Sequence, residues 1–154
     1  MKIVTSLGPA HTRGLGQRLA RKILGEPSEG RAVVLGLAGN LGGGKTTFLQ
    51  GFARGLGVKE KISSPTFVIL KRFKIRAIAG RFKNFYHLDC YRVEKPKELA
   101  DLGFKEIVSD PQNIVAVEWG DRVQRLLPRR TLWIKFVFQN ETRRKIIMVE
   151  SKNG

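Results

Sequence analysis

Apolar positions along the chain follow two rhythms, one with a helical period and one that is nearly unbroken over short runs. Across residues 11–24, Leu15, Leu19, Ile23 and Leu24 recur at the spacing of one helix face, and Gly25 with Pro27 closes the segment. Residues 32–37, Ala-Val-Val-Leu-Gly-Leu, form an apolar run of strand length. Phe48, Leu49, Phe52 and Leu56 then fall on a single face of a helix predicted over 47–56. Strands are predicted at 67–70, 85–89, 114–118, 132–138 and 144–149, the last two separated by a polar turn at Gln139-Asn140-Glu141. Residues 96–102 read as a short helix with proline in its first turn and Gly103 at its end.

Between the first strand and the second helix lies Gly39-Asn40-Leu41-Gly42-Gly43-Gly44-Lys45-Thr46, which satisfies the pattern G-x-x-x-x-G-K-[ST]. Glycines let such a loop curl until successive backbone N–H groups converge on phosphate oxygens, and the following helix adds its positive end. Lys45 supplies a mobile charge for β- and γ-phosphates, and the Thr46 hydroxyl is placed to ligate Mg²⁺. The flanking strand and helix are the context this motif requires, which argues against an accidental Lys-Thr pair.

Length changes this picture little. At 154 residues the chain is expected to form one domain over 1–154, with little room for a separate substrate domain. No stretch approaches the roughly 18 apolar residues of a membrane span, and residues 1–6 lack a signal-peptide core, so cytoplasmic residence is expected. The lone cysteine, Cys90, excludes an internal disulfide and reads as a small buried hydrophobe on a strand.

Charge adds more. Lys and Arg number 29 against 13 acidic residues, a formal net charge of +16, which attracts polyanions and makes tRNA or another nucleic acid a candidate partner. The densest basic stretch, residues 71–76 with 81–83, interleaves cations with Phe73, Ile75 and Phe82. Two readings stand: an RNA-facing ribbon, or two strands with one solvated basic face and a turn at Gly80. The second is preferred because alternation of this kind is the mark of a half-buried strand.

Two carboxylates complete the candidate chemistry. In a parallel α/β sheet the carboxyl ends of the strands share the crevice that holds the glycine loop, so Asp89 and Glu118 both become candidates to face the nucleotide. Glu118, after four apolar residues, is the better Walker-B-like acid to hold Mg²⁺ beside Thr46. His87 alternates with Asp89, and a single histidine in such a place is more often packed than catalytic.

Taken together, the loop Gly39–Thr47, Ser64-Pro65-Thr66-Phe67, Tyr86-His87-Leu88-Asp89-Cys90-Tyr91-Arg92, Glu98-Leu99-Ala100-Asp101-Leu102-Gly103-Phe104 and Val117-Glu118-Trp119 resemble the TsaE (YjeE) family. These blocks occur in family order. The resemblance implies an α/β fold, a single P-loop NTPase domain whose mixed parallel and antiparallel sheet is flanked by helices. It further implies a slow Mg-dependent ATPase that acts with the TsaB and TsaD proteins, which carry a threonylcarbamoyl group to adenosine 37 of tRNA. On that pattern Gly42, Gly43, Gly44, Lys45, Thr46, Thr47 and Thr66 bind ATP, and Thr46 with Glu118 carries Mg²⁺. Lys45, Asp89 and Glu118 form the catalytic set, with Thr66 and Asp89 on the γ-phosphate side and Trp119 supporting the site or a partner surface. The chain departs from the family in having Asn40 where Asp is usual and Cys90 where Leu is usual.

Two other classes use some of the same features. A small-molecule kinase would share the loop but needs an acceptor pocket and an arginine-bearing lid, and no segment reads clearly as either. A basic RNA-binding module without catalysis would explain the charge alone.

Overall fold

The computed structural model describes residues 1–40, 42, 44–63, 69–76 and 80–150. In chain order they form β1 (Lys2–Ser6), α1 (Pro9–Leu24), β2 (Val33–Gly39), α2 (Lys45–Gly55), β3 (Leu70–Lys74) and β4 (Asn84–Asp89). The second half comprises α3 (Pro96–Ala100), α4 (Phe104–Ser109), β5 (Asn113–Glu118), a 3-10 segment (Gly120–Leu126), β6 (Leu132–Phe138) and β7 (Arg144–Glu150). The strands make one seven-stranded sheet in the order β1-β7-β6-β2-β5-β4-β3. Its middle, β6-β2-β5-β4, is parallel, and antiparallel β7, β1 and β3 extend it on either side.

Sequence accounts for that division. Every residue of β5, Asn-Ile-Val-Ala-Val-Glu, is buried, and β2 is buried along nearly its whole length, as parallel strands covered on both faces require. Edge strand β3 instead buries Phe73 and exposes Lys71, Arg72 and Lys74. On one side of the sheet α1 and α2 pack over Leu35, Leu37, Phe85, Ile114 and Ala116, with Phe48, Leu49, Phe52 and Leu56 fully buried. On the other side Leu99 of α3, Phe104 of α4 and Val123 of the 3-10 segment cover Val34, Leu88, Val115 and Val117. Among the described residues no helix is long and apolar enough to cross a membrane.

Several elements depart from the sequence expectation. β1 was not anticipated; its Ile3-Val4-Thr5 run suits an edge strand and pairs antiparallel with β7. Of the strand expected at 67–70, Phe67 and Val68 lie outside the described residues, and β3 begins at Leu70. The basic stretch does form one exposed strand, but its partner strand starts at Asn84, so 81–83 is not strand. There Phe82 is drawn into the core, while Arg81 donates from Nε to Glu26 O and from Nη2 to Pro27 O, tying this stretch to the α1–β2 connection. Helix α3 stops at Ala100, and Gly103, with φ 76°, serves as the N-cap of α4, which was not anticipated.

Helices α1 and α2 touch backbone to backbone. A Cβ placed on Gly51 would stand 1.9 Å from Arg13 O, and one on Gly16 would stand 2.2 Å from Phe48 O. Only glycine permits this approach, and it sets how α2, and therefore the loop that precedes it, sits on the sheet. Gly51→Ala is expected to lower the stability of the protein by about 1–3 kcal/mol through forced separation of the two helices. Gly14→Ala, whose Cβ would meet only Arg18 Nη1 at 3.5 Å, should instead raise it by about 0.5–1 kcal/mol. Urea unfolding of the two variants checks the pair, and equal changes would discount the close-approach argument.

Candidate nucleotide-binding site

Strand β2 delivers the glycine loop at the carboxyl end of the parallel strands, and α2 leaves from it. Gly39 has φ 138°, and a Cβ there would lie 2.4 Å from Phe136 O of neighbouring β6, so the chain turns out of the sheet where no side chain fits. Gly44, the N-cap of α2, has φ 97° and gives that helix no side-chain cap, which leaves its first N–H groups available to an anion.

Lys45, the first residue of α2, is buried. Its Nζ donates to Gly39 O and, at 2.9 Å, to Asn40 O, and lies 4.2 Å from the centre of the Trp119 ring. Burial pulls its ammonium below the usual lysine range, partly offset by the charges of Glu118, Asp121 and Asp89. Thr46 donates from Oγ1 to Glu118 Oε1 at 3.1 Å, joining the start of α2 to the end of β5. Glu118 is itself buried, and its second oxygen, Oε2, accepts from His87 Nε2 at 2.6 Å.

Asp89 ends β4 directly opposite Glu118 in the parallel register, so the two carboxylates do meet at one end of the sheet as the strand endings suggested. Its Oδ1 accepts the Tyr91 N–H at 3.0 Å. Burial raises its pKa, and the neighbouring Glu118 charge adds to the rise against the Tyr91 hydrogen bond, His87 and Lys45. Cys90, one residue on, is fully buried and its thiol is pushed up to about 12, which suits a packed hydrophobe and not a nucleophile.

A cleft of about 240 Å³ opens beside this junction. Gly42, Gly44, Lys45, Thr46 and Thr47 form its loop wall, and Glu118 with Trp119 forms its floor. Two further walls were missed in the sequence. Gly8, Pro9 and Thr12 come from the start of α1, where Thr12 Oγ1 and Ser6 Oγ lie 2.6 Å apart. Glu141 and Thr142 come from the β6–β7 turn and Arg144 from the start of β7, and Arg144 donates from Nε to Gly42 O at 2.8 Å. Proline at the first turn of a helix could have pointed to the α1 start; nothing local marks Arg144. Asp89 does not line this cleft, and Gly43 and Thr66 lie outside the described residues. His87, read as more often packed than catalytic, is indeed buried, and its ring nitrogen is bonded to Glu118.

Trp119 follows Glu118 with φ 58°, the one left-handed non-glycine conformation among the described residues, at a cost of about 1–2 kcal/mol. That turn lays its ring over Lys45 and against Tyr91, 5.0 Å between ring centres. The donor set suits Mg²⁺, a hard cation that takes oxygen ligands: the Thr46 hydroxyl and the Glu118 carboxylate already converge.

A strand running into a glycine loop and helix at the carboxyl edge of a mixed sheet makes this a P-loop NTPase fold. Residues 8–146 match the family model for Threonylcarbamoyl adenosine biosynthesis protein TsaE. The chain belongs to the TsaE family. Relatives named tRNA threonylcarbamoyladenosine biosynthesis protein TsaE include that of Bacillus subtilis, 39% identical over 113 residues, which are 73% of this chain and 66% of that one. The Treponema pallidum relative is 41% identical over 69% of this chain and 72% of its own. The Haemophilus influenzae relative is 29% identical over 90% and 84% respectively. Among solved structures, Bacillus subtilis YdiB superposes with a TM-score of 0.69 at 27% identity, covering 98% of this chain and 86% of that one.

The raised Asp89 pKa has a consequence for stability. A carboxyl whose folded pKa exceeds its unfolded one binds its proton more tightly when folded, so it costs stability as pH rises above the unfolded value. Asp89→Asn keeps an acceptor for the Tyr91 N–H and removes that charge. It is therefore expected to be more stable than the parent near pH 7, with the difference shrinking as pH falls toward 4. Thermal unfolding at both pH values checks this.

Proposed function

We propose that residues 1–154 form one P-loop ATPase domain that acts in the cytoplasm and supports the TsaB–TsaD proteins in threonylcarbamoyl modification of tRNA adenosine 37. The observation that carries this reading is the meeting of Thr46 with Glu118 beside a buried Lys45, in a chain of the TsaE family. In this scheme ATP with Mg²⁺ is the ligand, and hydrolysis activates or resets the TsaB–TsaD complex without this chain making the modified base itself.

The roles follow from the chemistry of each group. The backbone N–H groups of Gly42, Gly44 and Thr46 with the uncapped start of α2 receive phosphate oxygens, joined by Gly43, Thr47 and Thr66 on family pattern. Lys45 exchanges its bonds to the Gly39 and Asn40 carbonyls for phosphate and neutralises charge there. Thr46 Oγ1 and Glu118 would hold Mg²⁺, which would supply electrostatic stabilisation of the phosphate charge. Asp89, Glu118 or a group brought by the partner orients the attacking water. Arg144 and Thr12 close the cleft around the nucleotide.

Slow turnover alone is expected, since phosphoryl transfer depends on positioned charges and some of these come from the partner proteins. The test is phosphate release from ATP by the purified chain, with and without Mg²⁺ and TsaB–TsaD. Release should require Mg²⁺, rise with the partners, and fall by about 100-fold or more in Lys45→Ala, with the variant's folding checked by thermal melting. Undiminished release from folded Lys45→Ala would overturn the assignment, as would phosphate appearing on an added nucleoside in place of free phosphate.

A further inference from the structure

We propose that His87 is a positioning residue that fixes the orientation of Glu118 for Mg²⁺. The proposal rests on the reading above, in which Thr46 and Glu118 hold the ion. It starts from burial: Glu118 is 3% exposed and His87 2%, and a carboxylate taken so far from water is tolerated only when both of its oxygens are hydrogen-bonded. Here they are bonded to different things. Oε2 accepts from His87 Nε2 at 2.6 Å, and Oε1 accepts from Thr46 Oγ1 at 3.1 Å.

The sheet fixes this arrangement. His87 pairs with Ala116 on adjacent β5, two residues before Glu118, so the imidazole and the carboxylate project from the same face of neighbouring parallel strands. Both strands lie inside the sheet, paired on each side, and β5 is buried at every position. The carboxylate cannot rotate about its last bond without giving up the His87 hydrogen bond in a place where water does not replace it. One oxygen is thereby anchored, and the other is aimed at Thr46 and the cleft.

His87 does not line that cleft, and the Nε2 of its buried ring is taken by Glu118. Its effect passes through Glu118, in the way that hydrogen-bonding partners behind a metal-binding carboxylate orient it and tune its affinity. A histidine that merely fills space would leave the metal dependence of binding untouched.

The experiment compares His87→Met, which replaces the ring with an apolar chain of similar bulk, and His87→Gln, whose amide keeps a donor, with Glu118→Gln as reference. Binding of a fluorescent ATP analogue is measured first in EDTA and then across a Mg²⁺ titration, alongside thermal melting. His87→Met is expected to raise the Mg²⁺ concentration for half-effect about 10–100-fold while leaving binding in EDTA near that of the parent, and His87→Gln to recover much of the loss. An unchanged Mg²⁺ dependence in His87→Met overturns the proposal. So does an equal loss in His87→Met and His87→Gln, or a loss in His87→Met that is just as large in EDTA. If Glu118→Gln shifts the Mg²⁺ dependence and His87→Met does not, the failure belongs to His87 alone. If Glu118→Gln leaves it unmoved, the underlying metal assignment fails and this proposal with it.

Discussion

Parallel pairing between β2 and β5 is the constraint on which the site depends. Leu37 lies opposite Glu118, so the strand that feeds the glycine loop and the strand that ends in a carboxylate finish side by side. A slip of one residue would exchange Glu118 with Val117, sending the charge into the cluster of Leu88, Cys90, Leu99 and Val115 on the far face. β5 is buried throughout and β2 nearly so, so such a slip would also misplace the apolar side chains of the slipped strand. The requirement to bury Val, Leu and Ile on two faces thus enforces the register, and the register brings Thr46 to Glu118.

That arrangement gathers buried Lys45 and the buried pair of Glu118 and His87, with half-buried Asp89 beside them. Each is tolerated through a specific partner: loop carbonyls and an indole face for Lys45, two donors for Glu118, a backbone N–H for Asp89. The balance is incomplete at Asp89 and Lys45, whose charged forms burial disfavours. Left-handed Trp119 adds strain at the same spot. Such costs collect where polar groups must be held ready for a ligand and are offset by the apolar packing behind them.

Much of this was legible in the sequence, for identifiable reasons. The runs at 32–37 and 114–117 announce buried strands because they are apolar without interruption, and the glycine loop between strand and helix announces the P-loop fold. Strand endings placed Asp89 and Glu118 at a common edge. What stayed hidden depends on contacts distant in sequence. Nothing around Arg144 signals that it reaches back to Gly42 O, 102 residues away, and His87 becomes informative only when β4 is set beside β5. Residues 81–83 misread as strand because their alternation is real, yet Phe82 and Arg81 are claimed by the core and by the α1–β2 connection.

Lys45 draws together the two backbone carbonyls at the entry to the loop. The carbonyls of Gly39 and Asn40 converge and would repel one another, and the Lys45 ammonium between them removes that repulsion. An internal cation therefore occupies the place where positive charge is needed, already desolvated and already roofed by Trp119. On the proposed function, binding an anionic phosphate would exchange one set of oxygen partners for another, so the cost of burying the lysine would already have been met during folding. Affinity reports the difference between phosphate and carbonyl as acceptors, not the full strength of an ion pair. Preorganisation of this kind is what a packed sheet edge gives the polar groups that project from it.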